Sequence, residues 1–372
     1  MIYADNAATT RLDADAFEVM RPFLLEEFGN ASQPYAFARK PKKALQEARK
    51  AIASSIGASP SEIFFTSGGT ESDNWAIHGV AALNYEKRAT ITSSFEHHAV
   101  LRACETIERQ GFPVTFLQPS LDGYIMPDAL SKVVSDRTHF VSIMFANNEI
   151  GTIQPIQELC EIAHAHGALF HTDAVQAVGH IPINVAKLGV DMLSASAHKF
   201  NGPKGVGFLY VREGTKIAPY TAGGSQERGL RAGTENVAGI VAMAAALQKN
   251  VDMASEATAK LRRLERSFLT QFSQAGVDYI RNGGNIRLPG NVNISIRDAD
   301  GEMLLHRLDL MGICISTGSA CDSVNTQISH VIQAIKVPQE YAQGTIRITF
   351  GVENTEDDAL TIAKALAKIL KS

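Results

Sequence analysis

A chain of 372 residues is long for one hydrophobic core, so two lobes are expected. With 45% hydrophobic and 20% charged residues it reads as globular, and 35 basic against 39 acidic side chains leave a net charge of -4, no bulk reason to bind nucleic acid or an anionic membrane. The opening Met1-Ile-Tyr-Ala-Asp5 shows no leader and no apolar run reaches spanning length, so a cytoplasmic protein acting on a small molecule is expected.

Met1 to Thr10 reads as extended and is followed by an amphipathic helix over 14–27, which Phe28-Gly-Asn breaks. A helical period runs from Lys42 to Ile56. Glu62-Ile-Phe-Phe-Thr-Ser67 is then a strand that enters Gly68-Gly69-Thr70 and a further helix. The same strand-turn-helix unit recurs at Thr90 before His98–Arg109, at Phe140 before Glu158–His166, and at Ala168 before Asp173. Strands and helices alternating at this spacing imply a mainly parallel sheet covered on both faces. Asp191 to Ser196 and Gly205 to Val211 read as two more strands. After Gly233 one long helical stretch is expected from Glu235 to about Gln274, Ala-rich first and charged later, bridging to an α+β lobe. That lobe has strands near Asn291, Cys314 and Thr345, and a last helix capped by Thr355.

The residues with chemical potential sit where strands give out. Lys199, between an apolar strand and a glycine-rich turn, is placed to form a Schiff base with a carbonyl such as the aldehyde of pyridoxal phosphate, though alone it also fits a surface lysine. Thr66-Ser-Gly-Gly-Thr70 opens a helix and can cradle a phosphate or simply make a tight turn, and it lacks the Gly-Lys-[Ser/Thr] of a nucleotide loop. Asp173 ends a buried strand, where a carboxylate suits a pyridinium N–H or caps the next helix, and Gln176 follows it by three. In Glu96-His97-His98 an imidazole can stack on a flat ring or stay solvated. Asn147-Asn148 supplies amides or a turn, and Arg347 is a carboxylate fork or half of an ion pair. Cys321 lies among small polar residues as an exposed thiol able to act as a nucleophile. Cys104, Cys160 and Cys314 lie in apolar patterns that suit small core residues; with no Cys-x-x-Cys pair, disulfides are not expected.

In order along the chain, Asp5-Asn-Ala-Ala-Thr-Thr10, Phe28-Gly-Asn30, Thr66-Ser-Gly-Gly-Thr-Glu-Ser72, Glu96-His97, Asn147-Asn-Glu-Ile-Gly151, His171-Thr-Asp-Ala-Val-Gln176, Ser196-Ala-His-Lys199, Glu227-Arg-Gly-Leu-Arg-Ala-Gly-Thr234 and Ser316-Thr-Gly-Ser-Ala-Cys321 resemble the cysteine desulfurase family. This is the NifS/IscS-like branch of the class V aminotransferases among fold-type I pyridoxal-phosphate enzymes. The resemblance implies a large mainly parallel α/β domain over 11–252 that binds pyridoxal 5'-phosphate, and a smaller α+β domain formed by 1–10 and 253–372 that carries the cysteine loop. It implies Lys199 as the Schiff-base lysine, Asp173 as the pyridine-nitrogen partner and His97 as the stacking imidazole. Gly69, Thr70, Ser196 and His198 would hold the phosphate, with Thr234 reaching the cofactor of a second subunit in a homodimer. Asn148 and Gln176 would contact the ring hydroxyl, Arg347 and Asn148 the substrate carboxylate, and Cys321 would form a persulfide. No metal is expected.

The implied reaction removes sulfur from L-cysteine, gives L-alanine and passes the sulfur from Cys321 to an acceptor or scaffold protein, as in iron–sulfur cluster assembly or tRNA thiolation. A selenocysteine lyase, an aminotransferase of the same class or a non-catalytic sulfur-transfer scaffold are the alternatives. The chain departs from the family at Asn30-Ala-Ser-Gln-Pro-Tyr35, at Pro41 and Gly69 where alanines are commoner, and at Thr326-Gln-Ile328.

Overall fold

The computed structural model describes residues 1–83, 89–317 and 328–371; Cys321 and Thr326 lie outside them. Twelve strands are found among these residues, labelled in chain order: β1 (Ile2–Tyr3), β2 (Ile63–Thr66), β3 (Ala89–Ser93), β4 (Val114–Leu117), β5 (Thr138–Ser142), β6 (Leu169–Asp173), β7 (Met192–Ser196), β8 (Gly207–Val211), β9 (Tyr279–Arg281), β10 (Asn291–Ile296), β11 (Ile313–Cys314) and β12 (Thr345–Thr349). Seven of them form one sheet in the order β2-β8-β7-β6-β5-β3-β4. Only β8 runs against its neighbours, so β2 and β7 to β3 leave the sheet at the same edge.

The strands are apolar on both faces because both faces are covered. Ile63, Phe65, Val141, Leu193 and Phe208 join one cluster with Ile52, Ile56, Ile240 and Leu247, while Phe64, Phe140, Met192 and Leu209 point the other way onto Trp75, Val80, Val100 and Ile107. This is the expected α/β class. A third cluster joins Ala4 to Leu264, Phe268 and Phe272, to Val292, Ile294 and Ile348, and to Ile362 and Leu366. It lies on the antiparallel sheet β12-β10-β9, and β1 pairs with β11 nearby.

The expected single helix from Glu235 to Gln274 is two helices, Val237–Asp252 and Ala254–Ser273, with Met253 at φ -93° and ψ 1° between them. The division follows the packing. Ile240, Met243 and Leu247 face the first cluster whereas Leu261, Leu264 and Phe268 face the third, and one straight rod cannot serve both. Helix Arg39–Ile56 starts three residues earlier than expected and seats Pro41 in its first turn, where no backbone N–H is needed. Thr355 caps helix Glu356–Leu370 as expected, reciprocally with Asp358.

Candidate functional site

The free edge of the parallel strands opens into a cavity of about 490 Å³. Its walls bring together Gly69, Thr70, His97, Asn148, Asp173, Gln176, Ser196, His198, Lys199 and Arg347, ten of the twelve residues singled out from sequence. Thr234 is exposed outside it, and Cys321 lies outside the described residues. Strand ends of an open α/β sheet are where such sites form, because adjacent loops diverge there and leave backbone groups facing one crevice.

Lys199 ends the short helix Ala197–Lys199 that follows β7, and its Nζ donates to the carbonyls of Ala7 at 2.6 Å and Ala8 at 2.8 Å. The extended N-terminal segment therefore crosses over the lysine. It is held there by Thr10 donating from both N and Oγ1 to the His198 carbonyl, and by Gln176 Nε2 donating to Ala7 O at 3.0 Å. Ala7 to Thr9, which in the sequence are only part of the Asp5–Thr10 motif, line the cavity wall, and their small side chains are the one sequence signal of that close approach.

Asp173, the last residue of β6, is 5% exposed, and burial lifts its carboxyl to about 6. Its Oδ1 accepts from Val175 N at 2.9 Å, which is the cap-like contact allowed from sequence, and the side chain still lines the cavity. His97 is half-buried at the cavity wall: it caps helix His98–Arg109 by accepting Ala99 N–H at Nδ1, and burial lowers it to about 4, so it is a neutral ring at pH 7. His198 is likewise held down to about 4 by burial.

Gly68 and Gly69 lead from β2 into helix Gly69–Ala81. Gly68 has φ 148°, and a Cβ on it would lie 3.3 Å from Ser196 Oγ; one on Gly69 would lie 2.5 Å from Val175 Cγ2. The glycines thus let the helix N-terminus approach the β6 and β7 loops, and Gly69 in place of alanine is matched to Val175 in this chain. The four residues Gly69, Thr70, Ser196 and His198, with Lys204, all line the cavity. Lys204 was missed from sequence, where Gly-Pro-Lys-Gly read only as a turn.

The paired asparagines divide the two roles left open for them. Asn147 is fully buried and builds the turn, accepting Glu149 N and Ile150 N at Oδ1 and donating to Phe95 O, while Asn148 lines the cavity. Arg347 on β12 donates through one nitrogen to Asn148 O at 2.9 Å and pairs through another with Asp5 Oδ1 at 2.7 Å. It is therefore an ion-pair residue whose side chain also borders the cavity.

A family model described as Aminotransferase class-V matches residues 2–361. The chain belongs to the class-V aminotransferase family. Among its class-V relatives, the cysteine desulfurase IscS of Dictyoglomus turgidum is 50% identical over 372 residues, covering 100% of this chain and 94% of the relative. A solved structure named a NifS-like protein superposes with a TM-score of 0.94 at 39% identity, covering 100% of this chain and 99% of the other. The structure of SspA in complex with cysteine gives 0.85 at 36% identity, covering 95% and 100%. Among the described residues no helix of this class-V chain is long and apolar enough to cross a membrane, and no cluster of His, Cys, Asp or Glu could hold a metal ion.

Proposed function

We propose that this chain is a pyridoxal-phosphate-dependent cysteine desulfurase, and the observation that carries the reading is the convergence of Lys199, Asp173, His97 and the Gly68–Thr70 helix terminus on one cavity. The residues fit the group. A Cβ on Gly68 would enter the space in front of Ser196 Oγ, and the helix that follows is long enough to present its N–H groups to a phosphate. Asp173, with one oxygen on Val175 N, keeps the other available for a pyridinium N–H, and neutral His97 offers an uncharged ring face. Lys199 would hold the cofactor covalently, Thr70, Ser196 and His198 its phosphate, and Asn148 and Gln176 its hydroxyl edge. Names of relatives that include cysteine desulfurases and a cysteine complex support the same reading.

When bound, pyridoxal phosphate supplies an electron-accepting ring that weakens the bonds at the substrate Cα. Arg347 and Asn148 would orient the L-cysteine carboxylate, and Lys199 Nζ would take the Cα proton. The Cys321 thiolate then attacks the substrate sulfur: the S–S bond forms, the Cβ–S bond breaks with its electron pair left on carbon, and a proton taken up at Cβ together with the Cα proton returned by Lys199 Nζ would complete L-alanine. The sulfur stays on Cys321 as a persulfide for an acceptor protein. In the same reading exposed Thr234 would reach the cofactor phosphate of a second subunit in a homodimer, with a large lobe over 11–252 and a small lobe of 1–10 and 253–372.

The test is alanine release from L-cysteine in the absence of any keto acid. An aminotransferase would need that second substrate. Lys199→Ala should abolish release, and alanine formation at the parent rate in that variant overturns the assignment.

A further inference from the structure

Two carboxyls of the cavity lining have no part in the reaction; Glu71 is paired with Arg231, and the other is Asp73. Asp73 stands one turn into helix Gly69–Ala81, is 1% exposed and lines the cavity floor along with Asp173. The groups facing it come from three elements. From β6 there are Asp173 and the His171 imidazole, whose Nε2 is 3.7 Å from Asp73 Oδ1; from β7 there is the Ser194 hydroxyl; and from the loop after β3 there is the Glu96 carboxyl. Asp73 Oδ1 has no hydrogen-bond partner. His171 does not balance a charge here, since complete burial keeps its ring neutral. Its two nitrogens are taken up by hydroxyls, Nδ1 at 2.9 Å from Ser142 Oγ and Nε2 at 2.9 Å from Ser194 Oγ.

An anion at Asp73 would thus be a fully desolvated charge with a serine contact, an empty oxygen and two carboxyl neighbours, an arrangement that drives a carboxyl to keep its proton. We propose that Asp73 is a positioning residue held as a neutral carboxylic acid, joined through Ser194 to His171 and Ser142, so that of these two carboxyls lining the cavity only Asp173 would carry its negative charge toward a bound cofactor. Burial and the Asp173 charge both act in that direction, raising Asp73 well above the ordinary carboxylate range. The consequence for the site is a division of labour between two buried carboxyls. Were both ionised, they would share the attraction for the ring proton and repel each other; with Asp73 neutral, Asp173 alone faces the ring nitrogen. The proposal rests on the assignment of Asp173 to that nitrogen.

Infrared difference spectroscopy of the holoenzyme at pH 7 tests it without reference to turnover. The parent should show a protonated-carboxyl C=O band that Asp73→Asn removes and Asp173→Asn retains, with the separate band of Glu96 assigned through Glu96→Gln. The cofactor dissociation constant, read from visible absorbance on dilution, should change by no more than about threefold in Asp73→Asn, because the amide replaces a neutral group of the same shape. In Asp173→Asn it should weaken by more than about tenfold. An unchanged carboxyl band in Asp73→Asn, or a loss of cofactor affinity equal to that of Asp173→Asn, overturns the proposal. Should Asp73→Asn fail to fold, Ser194→Ala serves: loss of the hydroxyl contact should shift the same band, and an unshifted band also overturns it. A protein that shows the band but no desulfuration would refute the proposed reaction and leave Asp73 as described.

Discussion

Replacing Glu96 by glutamine isolates the energetic consequence of burying a carboxyl beside the site. Glu96 is fully buried, with Oε1 accepting from Ser93 Oγ at 2.5 Å and Met144 N at 3.0 Å, while Oε2 has no hydrogen-bond partner. Burial pushes its carboxyl from 4.5 up to about 8. Between those values the folded chain keeps a proton that the unfolded chain has lost, so stability falls as pH rises through the window. The loss accumulates at about 1.4 kcal/mol per pH unit and reaches about 3 kcal/mol by pH 7. Glutamine keeps the acceptor toward Ser93 and Met144 and puts an uncharged NH2 in place of Oε2, so it removes the titration while conserving shape. Urea denaturation at steps from pH 4.5 to 8 should find Glu96→Gln close to the parent at the acid end and about 3 kcal/mol more stable at pH 7. Parallel stability curves for the two proteins would refute the argument.

Asp173→Asn should still bind cofactor but exchange the substrate Cα hydrogen with deuterated solvent at least about tenfold more slowly, since a neutral amide does not hold the ring nitrogen protonated; unchanged exchange by mass spectrometry would reduce Asp173 to its contact with Val175. Arg347→Lys should raise the KM for L-cysteine about tenfold with a smaller fall in kcat, because an ammonium cannot reach Asp5, Asn148 and a substrate carboxylate together as the guanidinium fork can. A drop in Tm with unchanged KM would assign Arg347 to the ion pair alone.

Most of the architecture was legible because local signals agree with the tertiary structure. The apolar run Ile63–Thr66 followed by two glycines, and Met192–Ser196 followed by Lys199, are strands that must be buried and must end in turns. What escaped was information carried only by packing. The reversal of β8 leaves no trace in Gly207–Val211, since a strand buried on both faces reads the same in either direction; the clue lies in the connection from Ser196 to Gly207, which is too short for the crossover helix a parallel neighbour needs. The break at Met253 has no glycine or proline to mark it. At the site, Lys199 and Asp173 were visible as charged residues at the ends of apolar strands, whereas Asp73 sits in a helix whose neighbouring residues include Glu71 and Asn74, and nothing in that pattern distinguishes the buried acid from a solvated one. Ala7 and Ala8 act through backbone carbonyls, which no side-chain motif reports.

In the proposed reaction, sulfur leaves L-cysteine and comes to rest on Cys321. Intact-protein mass after a brief incubation with L-cysteine measures it directly, with Cys321→Ser as the control, because serine preserves shape but is a far poorer nucleophile toward sulfur than a thiolate. The parent should gain a reducible increment of about 32 Da, one sulfur atom, and the variant none while it still changes colour with the substrate. An increment that persists in Cys321→Ser and maps to Cys104, Cys160 or Cys314 would rule out Cys321 as the sulfur carrier.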